Sequence, residues 1–475
     1  MTSRHPLTWA VVSVHAAVLL AWSWLRHQHF GSHAFDLGAY QNVFWHQAFR
    51  GIAWNGVEHM HQWSAHLELG LWVLWLPYRV WASPFWLFAL QALASVGAGL
   101  VLDAHVRQVS GKPLLASVAV AAMLCTPQLL FAQIYDFHSI MLCVFPMALV
   151  AWGIERDSPW RVVLGAVLAC SLREQMGLVV AMAGGAWALR HEGRRAWGVG
   201  LAVAGCSLFV AEVLWLIPSF GTGGQFRYVA QYQRLGGSPG AAAVMAVTRP
   251  FHFIGLALEG GRWLYLVKLA AGAVPLVVLS LRSVRRFAWP LLLAAPLVLV
   301  QLLSDREAVW SVRYQYGAPV VALIAAAAGL SLSGLAPRLA MSLALGWLAV
   351  NVGYAGLRWA PYASFKGGPA DFSFEGSPRA KALEEALALI PADASVSAQD
   401  VLVPHLANRE QIHQWPDGEG VDEYVVLDEA GVPGDQPVDL TLAVDAGARR
   451  LRASPDYERV FDGAGVLVLR KVSWP

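Results

Sequence analysis

The sequence predicts an all-α polytopic membrane protein of about eleven transmembrane helices, ending in a small α/β domain outside the membrane. Three observations predict it. The chain of 475 residues is 57% hydrophobic and only 14% charged, with mean hydropathy +0.48. Apolar stretches of spanning length recur along most of it. Its charge is uneven: up to Arg358 there are 24 Lys/Arg against 13 Asp/Glu, and from Trp359 onward 10 against 19. A weakly basic membrane body (1–358) therefore precedes an acidic region (359–475) too polar for lipid.

The first apolar stretch, Leu7 to Leu25, reaches across roughly 30 Å of hydrocarbon as a helix. No small-residue cleavage site follows it and many more spans do, so it reads as a retained helix. A long polar loop, 26–83, comes next and holds seven of the fifteen histidines. Within it, 67–81 is short, Trp-rich and interrupted by Pro77, which suits an interfacial helix. If that segment crossed instead, the topology beyond it would invert. Further apolar segments lie near 84–106, 114–132, 139–154, 161–190, 196–217, 262–281, 287–303, 315–333 and 339–357. The stretch 161–190 is too long for one ordinary span and is broken by Arg173-Glu174-Gln175, so it reads as two short helices meeting at those residues.

With the N-terminus inside, the short basic loops at Arg107/Lys112, Arg156/Arg161, Arg190/Arg194/Arg195, Arg282/Arg285/Arg286 and Arg338 all face the cytoplasm. An odd number of spans then puts the acidic C-terminal domain outside the cytoplasmic (inner) membrane. The same topology places Asp103, Glu155, Asp157 and Glu192 inside, and the other acids of the membrane body at the outer side. In the last region, Ser377–Ile390 reads as a helix. Ala394–Ala398, Glu423–Leu427, Tyr457–Phe461 and Val466–Leu469 read as strands, the last two joined through Asp462-Gly463-Ala464-Gly465. Cys125, Cys143, Cys170 and Cys206 all sit in apolar segments without C-x-x-C spacing, which argues against a disulfide framework or a zinc site.

Four polar constellations stand on the outer side. Asp36, in Phe35-Asp36-Leu37-Gly38, follows the first span directly and needs a reason to be there. His59, His61 and His66 offer three imidazoles to a metal, or are interfacial polar residues. Tyr135-Asp136-Phe137-His138 is either a ligand-bearing turn or an ordinary turn with a helix cap at Asp136. Arg173 and Glu174, between two half-helices, are costly in lipid and suit a water-filled cavity better than a purely structural pair. Beyond these, Asp305-Arg306-Glu307 precedes Trp310, Arg313, Tyr314 and Tyr316, a group suited to a lipid-borne phosphate or to interface anchoring. The glycine-rich loop 221–252 is placed to cover a site.

Phe35-Asp36-Leu37-Gly38, His66 opening an apolar stretch, Asp136-Phe137-His138 and Arg173-Glu174-Gln175 combine with two C-terminal strings. Those strings are Ile390-Pro391-Ala392-Asp393-Ala394-Ser395-Val396-Ser397-Ala398 and Val403-Pro404-His405-Leu406-Ala407-Asn408-Arg409. Together they resemble a bacterial family of predicted polytopic membrane proteins carrying a domain of unknown function, grouped with the GT-C glycosyltransferases. The resemblance covers nearly the whole chain, and its most specific parts are the two C-terminal strings.

The resemblance implies a GT-C-like fold and transfer of a sugar from a polyprenyl-phosphate donor to an acceptor glycan, lipid or protein, with membrane lipids as the other partner and no nucleic acid. By it, Asp36 matches the catalytic carboxylate of the first loop and Asp136 corresponds most nearly to the acidic residues of the second. Glu174 has no firm counterpart but joins them as a catalytic candidate. His66, His138, Arg173, Arg313 and Tyr316 are the expected substrate- and phosphate-binding residues. The paired D-x-D form of some relatives is lacking here, which puts a divalent metal (Mg or Mn) in doubt. The rival readings are a transporter or flippase, with Arg173, Glu174 and Glu212 along its path, and a non-catalytic scaffold. Against transport, the chain shows no repeated halves.

Overall fold

The computed structural model of the protein describes residues 4–363, 378–429 and 438–472. Its first helix, Pro6–Gln28, is capped by the His5 imidazole, which accepts from the Leu7 amide, and Pro6 sits where a missing N–H costs nothing. Opposite ends of this helix meet different acids. Thr8 donates to Asp103 at 2.9 Å, beside Arg107 at 2.9 Å from the same carboxylate. Arg26, about 30 Å along the axis, pairs with Asp136 at 3.1 Å.

Among the described residues, six helices are long and apolar enough to cross a membrane: Pro6–Gln28, Phe85–Ser110, Glu192–Ser219, Trp263–Leu303, Gln315–Ser333 and Pro337–Leu357. Two bent pairs raise that number to eight, which differs from the eleven read from the sequence. The difference has a physical source. The stretch 161–190 does divide at Arg173-Glu174, but into Pro159–Cys170 and Met176–Arg190, each short of a full crossing. Residues 263–303, read as two spans, count as one run of 41 residues, although extended backbone at Ser283 divides it into parts that match the two segments read from the sequence. The segment at 114–132 is bent by 50° between Pro113–Leu124 and Pro127–Tyr135, because Pro127 cannot continue the hydrogen-bond ladder. Asn351 repairs the break, donating to the Ala122 carbonyl at 2.8 Å and to the Thr126 hydroxyl at 3.1 Å. Residues 69–80 form two short helical pieces, neither long enough to cross.

The helix that starts at Met176 packs closely on its neighbour Arg195–Ala211, and glycine makes this possible. A Cβ at Gly184 would lie 2.4 Å from the Gly198 carbonyl oxygen, and one at Gly198 would lie 2.5 Å from that of Gly184. Backbone contact of this kind holds membrane helices together without a hydrophobic driving force. Because the pair carries Arg173-Glu174 at its end, Gly184→Val is expected to destabilise the protein by about 1–3 kcal/mol or more through overpacking. Thermal unfolding in detergent checks this, and an unchanged transition would show that the seam can relax.

The C-terminal domain is a five-stranded mixed sheet in the order Ile412–Gln414, Val396–Ala398, Tyr424–Asp428, Val466–Lys471, Tyr457–Gly463. The first two pairings are parallel and the last two antiparallel. Four of these strands match the sequence reading, and the 457–471 hairpin turns through Ala464 and Gly465, both at positive φ. Ile412–Gln414 and the helix Val438–Arg452 were not read from the sequence. The expected helix 377–390 is observed as Pro378–Leu387, and Ser377 lies outside the described residues.

Strand alternation gives this sheet two buried faces. Val425, Leu427, Leu467 and Leu469 pack on Val444, Ala448 and Leu451 of Val438–Arg452. On the other face Val396, Ala398, Val426, Val466 and Val468 pack on Ala380, Leu383 and Ala386, and also on Phe30, Ala34, Ala39 and Val57 of the first loop. The helix from Pro337 runs on to Ala363, and the sheet shares a core with residues 30–57.

Candidate active site

The loop after the first helix is fastened before it reaches Asp36. Phe30 turns the chain at φ 57°, and the Asp136 carboxylate takes both the Arg26 guanidinium and the His33 amide, at 3.1 and 3.0 Å. Residues Ala34–Gly38 then form one wide, π-helical turn running into the helix Ala39–Arg50. Asp400, from the C-terminal domain, accepts from the Ala34 amide at 2.8 Å and bonds the His33 imidazole at 2.8 Å. Burial opposes a charged His33, but the bond to Asp400 and the charges of Asp136 and Asp400 together outweigh it and raise the imidazole's pKa. Burial likewise opposes a charged Asp400, and the bond and charge of His33 with the Ala34 amide and Arg26 together lower its carboxyl.

Asp36 faces a cavity of roughly 860 Å³. Its side chain is 29% exposed, and His138 Nδ1 lies 3.5 Å from its carboxylate. Removal from bulk water pushes the Asp36 carboxyl up to about 6, against the pull of His33, Arg26 and Arg306. Burial drives His138 down to about 3, so its imidazole is neutral at pH 7.

Deeper in the same cavity, Glu174 is buried and bonded to His66 Nδ1 at 3.1 Å. The His66 ring stacks on Tyr228, centroids 4.8 Å apart. Arg173 lies 3.6 Å from Glu68, a buried carboxylate that also takes the Tyr40 hydroxyl at 2.8 Å, Gln62 at 3.2 Å and the Ser139 hydroxyl. Arg173, Arg306, Asp36 and Tyr316 line the same cavity. One stretch of the remaining wall is apolar, with Phe209, Val213, Phe253, Leu297, Leu299 and Val300. Residues 226–235 of the glycine-rich loop close one side, fixed by Arg227 to Glu58 at 2.9 Å and by Arg234 to Asp305.

Of the residues singled out in the sequence, Asp36, His66, His138, Arg173, Glu174 and Tyr316 therefore line one cavity. Asp136 does not; it stands behind the wall and anchors Arg26 and His33. Arg313 is not among the lining residues, and Arg306 takes its expected place. The three imidazoles do not converge: His59 stacks on His413 at 4.2 Å, His61 on Phe220 at 4.9 Å, and His66 bonds Glu174. Among the described residues no group of three His, Cys, Asp or Glu could hold a metal ion. Glu212, expected along a transport path, is 3% exposed and is not among the lining residues.

Sequence reasoning missed Tyr40 and Tyr228 in the cavity and Glu68, Arg26, His33 and Asp400 behind it. A signal existed for Glu68: a carboxylate beside His66 at the head of an apolar stretch. None existed for Asp400, which is 364 residues from Asp36.

A cavity lined by the first loop and a body of apolar helices, with a sheet domain packed on that loop, defines a multi-pass membrane protein. The fold matches that of ArnT from Cupriavidus metallidurans bound to undecaprenyl phosphate, with TM-score 0.54 and 12% identity over 97% of this chain and 98% of that one. It matches the apo structure of the same protein with TM-score 0.52 and 12% identity over 97% of both chains. The chain belongs to DUF2079, a family of predicted membrane proteins whose model matches residues 26–428. No curated protein matches it in sequence.

Proposed function

We propose that the protein transfers a sugar from a polyprenyl-phosphate donor to an acceptor at the outer face of the cytoplasmic membrane, with its N-terminus inside. One observation carries this reading: the Asp36 carboxylate, the Arg173 and Arg306 guanidiniums and an apolar stretch of wall share one cavity. Asp36 takes the proton of the acceptor hydroxyl as the sugar leaves its phosphate through an oxocarbenium-like state with inversion. Arg306 and Arg173 offset the charge that builds on the leaving phosphate, in a site largely closed to water. The neutral His138 and the His66–Glu174 pair orient the reacting groups, and the apolar wall takes the first part of the polyprenyl chain.

A base must be ionised to act, so activity is expected to be lost as pH falls through about 6 and to be flat above it. The profile of kcat/KM against pH checks this, and full activity at pH 4.5 would remove Asp36 from the role. Arg306→Ala is expected to lower kcat/KM by about 10²-fold, with partial recovery in Arg306→Lys, while Arg313→Ala stays within about twofold. The assay is transfer of label from a panel of radiolabelled undecaprenyl-phosphate hexoses and pentoses to membrane extract. An Arg313 variant that falls further than the Arg306 variant would reverse the assignment.

A further inference from the structure

One of the places where the C-terminal domain meets the first loop is the turn that carries Asp36. Asp400 takes two donors from it: the Ala34 amide and the His33 ring. The Ala34 amide belongs to the first turn of a helical run, where backbone N–H groups have no partner within the helix. The preceding amide, of His33, goes to Asp136 of the membrane body. Two carboxylates from opposite sides thus hold successive amides of the turn.

The string after Asp400 continues the same contact. Val403 packs so close to Gly38 that a Cβ there would lie 2.9 Å from the valine. His405 stacks between His27 and Phe30, at 4.2 and 3.9 Å. Asn42 donates to the carbonyls of Ala407 and Arg409, at 2.9 Å each. Every one of these contacts bears on residues 27–42, and Asp36 lies between them. Asp400 itself is not among the residues lining the cavity, so it acts through the turn.

We propose that Asp400 is a positioning residue for Asp36, by which the C-terminal domain sets the direction of the carboxylate into the cavity. The catalytic part of this proposal rests on the transferase reading above; the geometric part does not. The domain then has a defined task, which is to hold the turn that carries the carboxylate.

The test uses the full-length chain in detergent as wild type, Asp400→Asn and Asp400→Ala. Asn keeps an acceptor for the Ala34 amide but loses the charge facing His33; Ala keeps neither. Amide exchange over 34–38 is expected to rise in that order, reaching roughly 10- to 100-fold in Asp400→Ala, with strand 466–471 unchanged. Carbodiimide labelling of Asp36, read by peptide mass, is expected to change in the same order. With whichever radiolabelled undecaprenyl-phosphate sugar the wild type uses, kcat is expected to fall by about 10²-fold in Asp400→Ala, with KM within about twofold. If Asp400→Ala does not fold, the Asn variant alone shows the intermediate step in all three readouts.

Exchange and labelling that stay at wild-type levels overturn the proposal. So does faster exchange with unchanged kcat, or loosening that extends to strand 466–471, since either makes Asp400 merely structural. A folded wild type that transfers no sugar from any probe defeats the transferase reading instead, and labelling of Asp36 then decides the positioning claim.

Discussion

Asp36→Asn is expected to lower sugar transfer by roughly 10²- to 10⁴-fold, the range that a positioned general base contributes. The amide fills the same space but cannot take a proton. The fold should not suffer. A carboxyl whose pKa is raised by burial carries a stability cost, and that cost grows as pH rises from the ordinary carboxylate value to about 6. At pH 7 the whole cost is present in the wild type and absent in the variant, so the melting temperature of Asp36→Asn should be equal or slightly higher. Lost activity with an undiminished transition separates a chemical role from a structural one. Unchanged transfer would sink the role of Asp36.

Asp136→Ala is expected to show the opposite pattern, a loss of stability of about 3–5 kcal/mol, typical of removing one partner of a buried ion pair. Arg26 and Asp136 are both almost fully enclosed, and the same carboxylate holds the His33 amide. The variant therefore loses the fastening of the first helix and of the turn that bears Asp36, and activity falls as a consequence of the lost fold. Asp136→Asn, which still accepts from the amide, should lie between. Thermal unfolding in detergent and the monodisperse fraction on size exclusion measure both. A well-folded but inactive Asp136→Ala would return this residue to the chemistry, where the sequence resemblance had placed it.

These two aspartates show how far the sequence could be read. Both stand out because a carboxylate beside an apolar segment is costly, and cost is visible in a sequence. Which one faces the cavity depends on Arg26, and an arginine at the end of a span reads equally well as an interface anchor. The same holds for Arg306 and Arg313. They lie seven residues apart in an irregular segment, and no periodicity says which one points inward. Arg173 and Glu174 were legible because two charges interrupt an apolar stretch, although the helices they divide are shorter than spans. Strand Ile412–Gln414 is only three residues long, too short for an alternating pattern. The helix Val438–Arg452 has Gly447 in its middle, which weakens its helical signal.

The contact of Asp400 with His33 lies beyond any local reading, since it joins residues 367 positions apart. What the sequence did carry was the string 403–409, the more distant half of the family resemblance. Its place in the structure gives that string a physical reason: these residues form the surface that rests on the first loop.

The most direct measurement is an experimental structure of the protein with undecaprenyl phosphate bound. The account predicts the phosphate about 3 Å from the Arg306 or Arg173 guanidinium, the prenyl chain along Phe209, Val213 and Leu297, and room for one sugar between phosphate and Asp36. A phosphate bound elsewhere, or one separated from Asp36 by much more than a single sugar, would contradict it.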